Sequence, residues 1–114
     1  MPYITVNTNT EITKEAELRL KTRFAAVLTE AFPTKTENWL MLKLEGEGHM
    51  YFGGADAPCA MVQVSLFGCG SDSGYDTMTE GVCRLLEGEL GIPADRIYVK
   101  YEEVAHWGWN HSNF

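Results

Sequence analysis

The sequence predicts an α+β domain in which two helices pack on one face of a four-stranded sheet. Four stretches alternate apolar and polar residues with the period of a strand, and two stretches repeat apolar residues with the period of a helix. Their order is strand, helix, strand, then strand, helix, strand, so the chain reads as two similar βαβ halves. Right-handed crossovers place both helices on the same side of the sheet.

The first strand lies in Met1-Pro2-Tyr3-Ile4-Thr5-Val6-Asn7, with Ile4 and Val6 on one side and Tyr3, Thr5 and Asn7 on the other. Residues 8–13 form a polar connection. Thr13 can cap the helix that follows, and Glu15 and Glu17 in its first turn suit the positive end of the helix dipole. Ala16, Leu20, Phe24, Val27, Leu28 and Ala31 recur at helical spacing, Lys14 and Lys21 take the opposite face, and Pro33 ends the helix. Thr34, Lys35, Thr36 and Glu37 make a short loop to a second strand over 39–44, where Leu40, Leu42 and Leu44 share a face. Glu45-Gly46-Glu47-Gly48 breaks that strand, and a short ribbon is expected over 50–52 before Gly53-Gly54.

The clearest strand covers 59–67, with Ala60, Val62, Val64 and Leu66 facing one way and Met61, Gln63 and Ser65 the other. Residues 68–74 read as a flexible turn; their glycines match neither a dinucleotide fingerprint nor a phosphate loop, so no nucleotide site is assigned. Met78, Val82, Leu85, Leu86 and Leu90 define the second helix. Gly81 weakens it slightly, and Leu90-Gly91-Ile92-Pro93 stops it. The last strand, 97–101, precedes Trp107-Gly108-Trp109 and a polar, aromatic tail ending at Phe114.

With both helices on one face, the other face of the sheet is left bare. Its residues (Tyr3, Thr5, Met61, Gln63, Ser65, Tyr98, Lys100) are too mixed for a dry core and too broad for an open surface, which predicts self-association around that face. At 114 residues, residues 1–114 are expected to form one domain. A net charge of -7 excludes nucleic acid as a partner, because phosphate binding needs clustered Lys and Arg. No membrane span or signal peptide is expected. Cys59, Cys69 and Cys83 form no C-x-x-C pair and are expected as buried free thiols. His49, His106 and His111 lack ligand spacing, so no metal is assigned.

Chemistry concentrates at Pro2. Inside a chain, proline has no backbone N–H and its nitrogen is inert. Once Met1 is removed, that nitrogen becomes a secondary amine, a base held at the start of a strand.

Several motifs, in this order, resemble the macrophage migration inhibitory factor family of the tautomerase superfamily. They are Met1-Pro2 followed by Ile4-Thr5-Val6-Asn7-Thr8-Asn9, Lys35, Met50-Tyr51-Phe52-Gly53-Gly54, Ala57-Pro58-Cys59-Ala60, Ile92-Pro93-Ala94-Asp95-Arg96-Ile97-Tyr98, and Gly108-Trp109-Asn110-His111-Ser112-Asn113-Phe114. The resemblance spans essentially the whole chain. It implies two βαβ units with pseudo-twofold symmetry, a four-stranded mixed sheet, and a homotrimer.

It further implies a keto-enol tautomerase with no cofactor, acting on small α-keto acids or enols such as phenylpyruvate. Pro2 is then the catalytic base. Lys35 would depress its pKa and steady the developing enolate. The N–H of Phe67 would donate to the substrate's oxygens, Tyr3, Trp107, Trp109 and Phe114 would wall its ring, and Tyr98 would reach in from a neighbouring subunit. Three departures from the mammalian cytokine stand out. Lys100 replaces an asparagine and could favour a second anionic group or simply form an ion pair, the redox C-x-x-C is reduced to Cys59 with Val62, and the segment between Tyr101 and Trp107 is shorter. The resemblance also implies a second class of activity, engagement of a cytokine receptor, and a cytoplasmic location with export that uses no signal peptide.

Overall fold

The computed structural model describes residues 1–114. Its elements are β1 (Pro2–Thr8), α1 (Lys14–Ala31), β2 (Met41–Glu45), β3 (Ala60–Phe67), α2 (Asp72–Leu90), β4 (Ile97–Val104) and a C-terminal hairpin, β5 (Gly108–Trp109) with β6 (Ser112–Asn113). The main sheet runs β2-β1-β3-β4. β1 is parallel to β2 and β3 to β4, and the two halves meet where β1 pairs antiparallel with β3, Pro2 opposite Leu66 and Thr8 opposite Ala60. This is the predicted mixed sheet with its two βαβ halves.

Strand alternation sorts the residues into layers. Ile4, Val6, Val62, Val64 and Leu66 are buried against Leu20, Phe24 and Leu28 of α1 and Met78, Val82 and Leu86 of α2. Thr13 caps α1, its hydroxyl accepting from the Ala16 N–H at 3.2 Å. Gly91, at φ 67°, ends α2 by donating to Glu87 O, and Ile92 N–H returns to Leu86 O. This is the left-handed glycine stop the sequence called for. Across the helix layer the carboxylate of Glu89 meets two guanidiniums of α1, Arg19 at 2.6 Å and Arg23 at 3.0 Å.

Several boundaries differ from expectation. Residues 68–74 are not all turn, because α2 starts at Asp72, capped by the Ser71 hydroxyl on Gly74 N–H at 3.0 Å. The glycine at 74 is required inside the helix, since a Cβ there would lie 2.6 Å from the Phe32 ring. The ribbon over 50–52 is not a strand and contributes only a Phe52–Ala55 bridge. β2 begins at Met41, because Glu37–Trp39 coil into a 3-10 turn. The last strand runs past Tyr101 to Val104, with Val104 opposite Phe67. The tail folds back as the β5–β6 hairpin.

Gly81 also has a packing reason: a Cβ there would sit 2.6 Å from Val27 Cγ1, where α1 and α2 touch. Overpacking costs about 1–3 kcal/mol and alanine's helix preference returns only about 1 kcal/mol, so Gly81→Ala is expected to lower the thermal midpoint. In a Val27→Ala background the same change should raise it. Thermal unfolding of the four chains at one protein concentration checks the reversal of sign.

Candidate active site

The β1–β3 ladder continues one step beyond Pro2, where the Phe67 N–H donates to the Met1 carbonyl at 3.0 Å. Pro2 is buried and Met1 half-buried. Lys35, half-buried on the α1–β2 loop, sends its Nζ to the Phe67 carbonyl at 3.2 Å. The loop is held for this, with Lys35 N–H on Phe32 O and Lys35 O accepting from the Thr29 hydroxyl. Three parts distant in sequence, the chain start, the end of β3 and the turn after α1, therefore converge.

The α-amine of Met1 titrates below its ordinary range. Partial burial is the larger cause, and the neighbouring Lys35 charge and hydrogen bond add to it. Both act against a protonated amine. A cleft of about 760 Å³ opens beside it, floored by Pro2, Tyr3 and Ser65 and walled by Trp39, Trp107 and Trp109. Trp39 meets Trp109 edge-on at 5.0 Å, Trp109 stacks on Phe114 at 6.2 Å, and Phe114 lies 5.6 Å from Phe67. The hairpin is fixed at its end by Phe114 N–H on Trp107 O at 3.0 Å.

The chain thus gathers Pro2, Lys35, Tyr3, Phe67, Trp107, Trp109 and Phe114 at one end of the sheet. It does not bring Tyr98 or Lys100 there. Tyr98 pairs with Met61, five positions along β3 from the partner of Pro2, about 17 Å away at strand rise. Tyr98 is 61% exposed on the bare face, and Lys100, opposite Gln63, is also exposed. Trp39 went unrecognised in the sequence. A large aromatic beside the polar run Thr34-Lys35-Thr36-Glu37-Asn38 was the available signal, since such a residue in a loop has little local reason to be there.

No three His, Cys, Asp or Glu side chains gather as a metal set. Cys59 is buried as expected, Cys83 is only half-buried with its thiol pushed up by burial, and Cys69, against expectation, is exposed in the turn before α2. No helix is long and apolar enough to cross a membrane.

The fold and this cleft define a small protein of paired βαβ units with Pro2 at the start of β1 and Lys35 near the Met1 amine. Comparison with known proteins carries the assignment further. The family model of macrophage migration inhibitory factor (MIF) matches residues 1–114. A macrophage migration inhibitory factor homolog of Brugia malayi is 30% identical over 104 residues, covering 91% of this chain and 89% of that one. The crystal structure of Leishmania major MIF2 superposes with a TM-score of 0.93 at 30% identity, over 100% of this chain and 97% of that one. The homologue from Prochlorococcus marinus superposes at 0.83 with 32% identity, over 98% of each chain. The chain belongs to the macrophage migration inhibitory factor family, within the tautomerase superfamily.

Proposed function

We propose that this chain is a cofactor-independent keto-enol tautomerase of the phenylpyruvate type, with Pro2 as its base once Met1 has been removed. The observation that carries this reading is the position of Lys35, against both the chain's terminal amine and the Phe67 carbonyl. A freed Pro2 amine facing the burial and the cation that lower the Met1 amine's pKa would suit general-base work near neutral pH.

In the forward direction the Pro2 nitrogen takes a proton from the carbon next to the ketone. The electron pair of that C–H bond becomes the C=C bond, and the carbonyl oxygen takes the negative charge. The Lys35 ammonium and the Phe67 N–H stabilise that oxygen or the adjoining carboxylate. The protonated Pro2 then returns its proton to the oxygen, and ketonisation runs the same steps backwards. The tryptophans supply an aryl surface and exclude water.

The working form in this reading is a homotrimer, in which Tyr98 of one subunit lies over the cleft of another and Lys100 offers a site for a second anionic group. The exposure of Met41 (68%) and Tyr98 (61%) on the bare sheet face supports it. The test is loss of the enol absorbance of phenylpyruvate with chain shown by intact mass to lack Met1, alongside its mass in solution. A rate no faster than buffer would overturn the enzymatic reading, and a monomer that turns over would overturn the assembly.

A further inference from the structure

Residues 52–58 lie at the end of the sheet where β1 stops and β3 and β4 begin, with one β-bridge of their own, and two side chains hold them by the backbone. Asn9 donates to Asp56 O at 3.0 Å and Ala57 O at 3.1 Å, and accepts from Cys59 N–H at 2.9 Å. Arg96 donates to Pro58 O at 2.9 Å, Ala57 O at 3.0 Å, Ala55 O at 3.1 Å and Phe52 O at 3.2 Å. A planar fork of N–H donors suits such a curl of carbonyls, and an ammonium could not reproduce it. The grips differ in one respect. Arg96 also lies 5.3 Å from the centroid of the Phe52 ring, and that ring packs at 4.8 Å against Tyr98.

We propose that Arg96 is a positioning residue for Tyr98, acting through Phe52. The guanidinium, the phenyl ring and the phenol ring stand in series, so fixing the first fixes the third. Tyr98 is largely exposed on the bare face, and Phe52 is its aromatic neighbour within the chain. Without that backing the phenol would sample several rotamers, and ordering it would weaken substrate binding. The consequence for substrate rests on the reading above, that Tyr98 completes a neighbouring subunit's cleft; the positioning of the ring does not.

The experiment compares Arg96→Lys, Phe52→Leu, Phe52→Tyr and Asn9→Ala, with Tyr98→Leu as reference. Arg96→Lys and Phe52→Leu are expected to raise the KM for phenylpyruvate about fivefold, the scale of one aromatic pair, with kcat little changed. Phe52→Tyr keeps the ring and should keep the KM. Asn9→Ala loosens the same loop without touching Phe52, so it should leave KM unchanged while speeding amide exchange in 52–58. Arg96→Lys added to Tyr98→Leu should raise KM no further. Two results would overturn the inference: equal KM effects from Asn9→Ala and Arg96→Lys, or Arg96→Lys and Tyr98→Leu effects that simply multiply. A wild-type chain without turnover, or an unchanged KM in Tyr98→Leu, would instead defeat the reading on which the substrate effect rests. The Tyr98 ring-proton shifts then decide positioning alone: they should move in Arg96→Lys and not in Asn9→Ala, and unmoved shifts in Arg96→Lys would refute it.

Discussion

Chain made with methionine aminopeptidase inhibited, so that Met1 stays attached, is expected to turn over phenylpyruvate about a thousandfold more slowly than processed chain, within the span a positioned base contributes. Two separate losses combine. The Pro2 nitrogen is then an amide without a basic lone pair, and the Phe67 N–H is already committed to the Met1 carbonyl at 3.0 Å. Lys35 is likewise engaged, because the Met1 amine lies beside it. The first peptide group of the unprocessed chain therefore fills the place proposed for the substrate's oxygens. The Met1 amine also has a lowered pKa, but it stands one residue farther along the ladder and is a poor substitute. Rates measured on samples of verified mass decide the matter, and equal rates would remove Pro2 from the mechanism.

Lys35→Ala should lower kcat/KM by about a hundred- to a thousandfold, the range seen when one donor to a developing oxyanion is removed. It should also shift the pH profile, and the sign follows from which form each influence disfavours. In the unprocessed chain burial and the Lys35 charge hold the Met1 amine below about 8, the usual value for an α-amine, and a freed Pro2 amine is expected to meet the same two influences. Activity then rises with pH through that lowered value and levels above it. Without Lys35 the rising limb moves to higher pH. It should move only part of the way, because burial, the larger cause at the Met1 amine, would remain at Pro2. Lys35→Arg keeps the charge and should keep the limb near its place while losing part of the rate. A Lys35→Ala limb that stays put would mean that the lysine does not tune the base.

The layers of the fold were legible because period and burial coincide: Ala16, Leu20, Phe24 and Leu28 recur on one face of α1 and are all buried. Caps were legible where one residue type has one local use, as at Thr13 and Gly91. The start of α2 was not, because Gly68, Gly70 and Gly74 look like a loop, whereas Gly74 is small on account of Phe32 across the helix layer. The far end of β4 was missed for a related reason. Glu102 and Glu103 break the apolar pattern, yet Glu103 takes hydrogen bonds from the Tyr75 hydroxyl at 2.6 Å and from Gly70 N–H at 3.3 Å. Local pattern carries no record of such distant partners. The site divides in the same way. Pro2 and Lys35 are visible as chemistry, whereas Trp39 depends on a 3-10 turn that swings its ring toward Trp109.

The placement of Glu89 bears on how the molecule meets acid. A carboxylate in the closing turn of a helix opposes that helix's own dipole, and here Arg19 and Arg23 more than compensate, holding its titration below the usual carboxylate range. Because the folded value is the lower one, this fastening between helices is fully present above the ordinary carboxylate value and slackens only as pH falls through the depressed one. The two arginines, four residues apart on one helix, would then repel each other with nothing between them. The helical layer thus keeps this contact in mildly acidic surroundings and loses it in strongly acidic ones, where its apolar core alone holds the helices together.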